Sequence, residues 1–143
     1  MALGAGMNVG SIKFEIPGIP VAKGRPRFGR GRAYTPRKTR NAENRIADAA
    51  LKAMGRNPPM IGPLWIQIVF GFPVPKSFSK ARRVSALAGG LNPTSKPDID
   101  NLVKAIMDGL NGIAYFDDSQ IVDIAARKWF MADPTTIVMV GQR

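Results

Sequence analysis

Between Ser11 and Pro17 the chain alternates, with Ile12, Phe14 and Ile16 on one side and Lys13 and Glu15 on the other. That is the period of a half-buried strand. A helix is predicted from about Pro36, with Thr35 as its cap, through Ile46, Ala49, Ala50 and Ala53 to a stop at Gly55 and the prolines 58 and 59. Leu64 to Phe72 reads LWIQIVFGF, a nearly continuous apolar run that suits a central strand, ended by Pro73 and Pro75. Ile99, Leu102, Val103, Ile106, Met107 and Leu110 then recur at the spacing of one buried helix face, with Gly112 just past the end. Ile121 to Phe130 and Thr135 to Val140 read as two strands joined around Asp133-Pro134. The order β-α-β-α-β-β predicts an α/β (α+β) fold, a small mixed sheet with two main helices packed on it.

The segments between these elements are of a different kind. Residues 1 to 10 are small and glycine-rich, and Gly4, Gly6 and Gly10 miss the dinucleotide-binding spacing. They are expected to form a loose leader, with Met7 as a second candidate start, ahead of a single domain over residues 11 to 143. A chain of 143 residues with 45% apolar content is enough for one core. Val21 to Arg40, and again Lys76 to Lys96, are broken by glycine and proline and are expected to be flexible basic loops.

Charge gives those loops a meaning. Lysine and arginine total 21 against 10 acids, a net charge of +11 that attracts polyanions. Nucleic acid is the leading partner, since no basic amphipathic helix with aromatic anchors argues for a membrane surface. The first loop supplies Lys23, Arg25, Arg27, Arg30, Arg32 and Arg37 as candidate phosphate contacts, and Lys96 ends the second. Phe28 and Tyr34 either stack on a base or anchor the loop to the core. No segment reaches membrane-spanning length and no signal core opens the chain, so a cytoplasmic protein is expected. Cysteine and histidine are both absent, which excludes thiolate chemistry, zinc-cysteine sites and a histidine general base.

Carboxylates remain, and they are concentrated. Six of the ten acids fall between Asp98 and Asp123, where Lys104 is the only base. On a helix starting near Asp98, the residues Asp100, Lys104 and Asp108 share the side opposite the apolar stripe, with Asp98 at its mouth. Each has a plain structural reading: Asp98 as an N-cap, Asp100 and Lys104 as an i,i+4 pair, Asp117 and Asp118 as turn formers. Collectively they repel one another unless a cation joins them. Magnesium takes one or two protein carboxylates and keeps waters and phosphate oxygens, which suits hydrolysis of a phosphodiester.

The segment KPDIDNLVKAIMDGLNGIAYFDDSQIVD, Lys96 to Asp123, closely resembles the RusA family of Holliday junction resolvases, typically encoded by phages and prophages. The likeness rests on the P-D-x-D-N setting, the lysine four residues later, the aspartate four beyond it, and Y-x-D-D-x-Q-[IV]. The upstream GIPVAKGRPRFGRGRAYTP is similar to the family's basic segment. The resemblance implies a homodimer that nicks four-way DNA junctions symmetrically with Mg2+, for which Mn2+ substitutes, in recombination, repair or phage DNA processing. It further implies Asp98, Asp100 and Asp118 as metal-binding carboxylates, Lys104 as catalytic lysine, Asp117 in support and Asp108 as structural. Two rivals stand beside it: a non-catalytic basic nucleic-acid-binding protein, and an enzyme with a nucleophile at Tyr34, Tyr115 or a serine near Lys80.

Overall fold

The computed structural model describes residues 10–22, 27–29, 31–34 and 37–143. Four strands form the main sheet: β1 (Ser11–Pro17), β4 (Leu64–Phe72), β5 (Ile121–Phe130) and β6 (Thr135–Gln142). Their order is β1-β6-β4-β5, with β1 and β4 antiparallel to β6 and β5 parallel to β4. The mixed α+β class expected from the sequence is therefore found. β5 and β6 follow one another in the chain yet do not pair, because β4 lies between them.

Two segments expected to be irregular hold structure. A hairpin of β2 (Arg27–Gly29) and β3 (Arg32–Tyr34) lies in the first, where Arg27 pairs with Tyr34 and Gly29 with Arg32. Gly31, at φ +78, supplies the left-handed backbone that a two-residue turn needs. In the second lies α2 (Lys80–Leu87), whose N-cap Ser79 accepts a hydrogen bond from the Arg82 amide. Gly and Pro on both sides obscured a helix of only eight residues. Residues 1–9 and the cap at Thr35 and Pro36 lie outside the described residues.

The two longer helices, α1 (Arg37–Met54) and α3 (Ile99–Leu110), pack against each other, with α1 also lying on β1. Ala42, Ile46, Ala50 and Met54 of α1 recur every four residues and are buried, a single stripe turned inward. Ile46, Ala50 and Met54 share one core with Leu102, Ala105, Ile106 and Leu110 of α3 and the buried rows Ile12/Phe14/Ile16, Leu64/Ile66/Ile68/Phe70 and Val138/Val140. The outer residues of α3's predicted stripe, Ile99, Val103 and Met107, are only partly covered. No helix among the described residues is long and apolar enough to cross a membrane.

Gly109 sits where α3 crosses α1. A Cβ there would stand 2.5 Å from Ile46 Cγ2. Helix propensity alone favours alanine over glycine by about 1 kcal/mol, whereas overpacking a stiff buried isoleucine costs about 1 to 3 kcal/mol. Gly109→Ala should therefore lower the thermal midpoint, and Ile46→Ala in the same chain should recover part of that loss. A Gly109→Ala protein as stable as the parent would show that the crossing is not tight.

Candidate active site along helix α3

The N-terminus of α3 is held from outside. Lys128, on β5, donates from Nζ to the Ser95 carbonyl at 2.6 Å and the Pro97 carbonyl at 2.9 Å. The same ammonium lies 5.4 Å from the Phe72 ring centroid. A charged donor to two carbonyls is a strong tether, and it fixes the peptide that delivers Asp98.

Asp98 occupies the N-cap position, at φ −69 and ψ 147, but its side chain makes no capping hydrogen bond. The plain capping role is thus not taken up, and the exposed carboxylate is uncommitted. Asp100 is exposed in the first turn, with one oxygen accepting from the Asn101 amide at 2.9 Å. Both acids sit at the positive end of the helix dipole, which favours them.

Lys104 does not pair with Asp100 as the i,i+4 reading anticipated. Its ammonium lies 3.5 Å from Asp108, one turn further along. With the lysine side chain 62% exposed, such a pair contributes only about 0 to 1 kcal/mol. Its value is to set a positive charge midway along an acidic face.

At the far end the chain turns back. Tyr115 is buried and donates its hydroxyl to the Met107 carbonyl at 2.7 Å. Asp117 caps a short 3-10 turn, Asp118–Gln120, accepting from the Ser119 amide at 3.1 Å, and its carboxyl is held below the usual range first by the Ser119 side chain and next by that amide. Gln120 completes the cap by accepting from the Phe116 and Asp117 amides, while its amide nitrogen donates to the Met60 and Gly62 carbonyls at 3.0 Å each. Asp117 is therefore structural in its contacts, and Asp118 makes no comparable side-chain hydrogen bond. The fields of Asp118, Asp108 and Asp117 nonetheless converge on Tyr115, whose phenol is pushed well above its ordinary pKa by burial first and these three acids next. They gather where the helix dipole is already negative.

The family model described as Endodeoxyribonuclease RusA matches residues 17–141. The chain belongs to the RusA family. It is also similar to the uncharacterized protein YqaN of Bacillus subtilis (strain 168), 39% identical over 139 residues that cover 92% of this chain and 96% of that protein.

In this RusA-family chain the acids are strung along α3. Ten residues separate Asp98 from Asp108, about 15 Å of helix. Among the described residues no three acids lie close enough together to enclose a cation. The donors do fit magnesium: they are hard oxygens, the Asp98 and Asp118 carboxylates make no side-chain hydrogen bond, and magnesium leaves most of its shell to water and phosphate. Of the expected DNA contacts, Arg27 and Arg32 fall on the two hairpin strands, Arg37 opens α1 and is exposed, and Lys96 is exposed just before α3. Lys23, Arg25 and Arg30 lie outside the described residues. Lys128 and Gln120 were not singled out from sequence. A basic pair, Arg127-Lys128, running into the aromatic strand end Trp129-Phe130 was the available signal for the first, and the Asp-Asp motif that includes the glutamine for the second.

Because the folded protein holds the Tyr115 proton more tightly than the unfolded chain, this group's stabilisation is complete below its ordinary pKa of about 10 and declines as pH rises beyond it. Asp118→Asn removes one of the charges responsible. In a spectrophotometric titration it should bring the Tyr115 phenol down towards its ordinary value. A phenol that titrates identically in both proteins would place Asp118 away from it.

Proposed function

We propose that this chain is a magnesium-dependent endonuclease that resolves four-way DNA junctions by hydrolysing one phosphodiester in each of two opposed strands, with manganese able to replace magnesium. The observation that carries this reading is the acidic outward side of α3 and the turn that follows it, which hold Asp98, Asp100, Asp108, Asp117 and Asp118 in a chain whose net charge is +11. Membership of an endodeoxyribonuclease family supports the reaction class. A nucleic-acid-binding protein gains nothing from gathering six of its ten acids between Asp98 and Asp123, where they repel phosphate, whereas a site awaiting a cation does.

In this reading Asp98, Asp100 and Asp118 are the carboxylates that would hold the metal, with water and phosphate oxygens filling the rest of its shell, and Asp117 shapes the turn that presents Asp118. Bound magnesium supplies an activated water and offsets charge building on the phosphate. Lys104, exposed and one turn from Asp100, adds a positive charge where the phosphate becomes more negative in the transition state. Lys128 acts through Asp98, by fixing the peptide ahead of it. The arginines of the hairpin segment and Lys96 hold the DNA backbone by phosphate contact.

A four-way junction has two-fold symmetry, and its resolution needs one nick in each of two opposed strands. A C2 homodimer brings two identical sites related by the same kind of axis. Each chain carries one acidic strip, so paired incision calls for two chains.

Labelled four-way junction incubated with and without magnesium tests the reading. Asp98→Asn, Asp100→Asn and Asp118→Asn should each abolish cleavage while leaving binding intact or tighter, since each also relieves repulsion of phosphate. Lys104→Ala should slow cleavage strongly with little change in affinity. Parental product should be symmetric cuts in opposed strands, with linear duplex of the same sequence spared. Equal cutting of linear duplex, or undiminished cutting by all three aspartate variants, would refute it.

A further inference from the structure

We infer that the outward face of α2 is a second DNA-binding surface, which grips the phosphate backbone of a duplex arm beside the start of α3. The inference rests on the nuclease reading and goes beyond it, since it assigns a substrate contact to an element that carries none of the candidate site residues. From Lys76 to Lys96 the chain holds five bases and no acid. Lys80, Arg83, Val84 and Leu87 follow the i, i+3, i+4, i+7 spacing of one helix face and all four are exposed. Among the described residues, neither Lys80 nor Arg83 takes part in an ion pair. Arg82 is different, for its guanidinium lies 4.0 Å above the Phe78 ring.

The helix is fixed in place by its other side. Ala86 is fully buried, Phe78 meets the edge of Phe130 with centroids 5.8 Å apart, and Gly89 lies so close to Trp129 that a Cβ would approach the indole to 2.7 Å. Phe130, Trp129 and Lys128 are consecutive on β5, and Lys128 binds the Ser95 and Pro97 carbonyls ahead of Asp98. One strand end thus seats both the basic helix and the mouth of the acidic face. An eight-residue helix is marginal alone, and here packing holds it with its cations turned to solvent.

Charge decides the occupant. Phosphates along a duplex match an array of unpaired cations, while a second copy of this strongly basic chain would meet it with like charge. Val84, 63% exposed, is then placed to lie against deoxyribose between phosphate contacts.

Lys80→Ala/Arg83→Ala tests this in the full chain, by fluorescence anisotropy on a labelled four-way junction across a salt series. Affinity should fall roughly tenfold and the log-log salt slope should flatten by about 1.8, near 0.9 for each phosphate no longer neutralised. Lys80→Arg/Arg83→Lys should retain both, and the thermal midpoint should not move. Unchanged affinity and slope would overturn the inference. So would loss of a sedimenting dimer in Val84→Ser/Leu87→Ser with DNA affinity kept, which would make the face a protein interface. A parent chain that binds junctions through this face but never cuts them in magnesium would sink the nuclease reading and leave this surface standing.

Discussion

The seating of α3 is the constraint on which the rest depends. Its apolar stripe is buried against α1 and the sheet, its start is tethered by Lys128 and its far end by the Tyr115 hydroxyl on the Met107 carbonyl. Burial of this kind contributes roughly 1.5 to 3 kcal/mol for each large side chain, while each hydrogen bond contributes about 0.5 to 1.5 kcal/mol net. Packing therefore holds the helix, and the polar tethers fix its ends. With the buried side committed to the core, Asp100, Lys104 and Asp108 are left in one line at four-residue spacing, with Asp98 at the N-cap ahead of them.

What the sequence made legible follows from periodicity. β1, β4 and β5 fall on their expected residues, and α1 and α3 end within a residue or so of the expected glycines, because long apolar patterns determine which face is buried. The hairpin and α2 escaped because they are short and flanked by glycine and proline; their stability comes from a turn glycine and from contacts with distant β5. Pairing of β4 between β5 and β6 escaped for a similar reason, since strand order is a tertiary property that no local pattern encodes.

The acidic residues were legible as a group but not as individuals. Sequence spacing gave Lys104 to Asp100, and side-chain geometry instead chose Asp108, one turn further along. Sequence position gave the capping role to Asp98 and a turn to Asp117 and Asp118, whereas of the three only Asp117 accepts a capping bond. The pattern that separates them is hydrogen bonding: Asp117 is occupied, and Asp98 and Asp118 are available. Gln120 carries this arrangement, because its amide binds two carbonyls of the 60–62 segment while its oxygen receives two amides of the turn. A substitution there would disturb Asp118 without touching it.

The central claim is that the outward face of α3 is a metal site rather than a strip of solvated acids. Iron(II), bound in place of magnesium, is oxidised by added hydrogen peroxide to release hydroxyl radical and is returned from iron(III) by ascorbate, so that peptide backbone is cut close to where the metal sits. In the parent protein bound to junction DNA, cuts should cluster near residues 98–100 and 117–118 and should fade as magnesium is added in competition. Scattered cuts that magnesium does not suppress, or cuts confined to strands remote from α3, would contradict it.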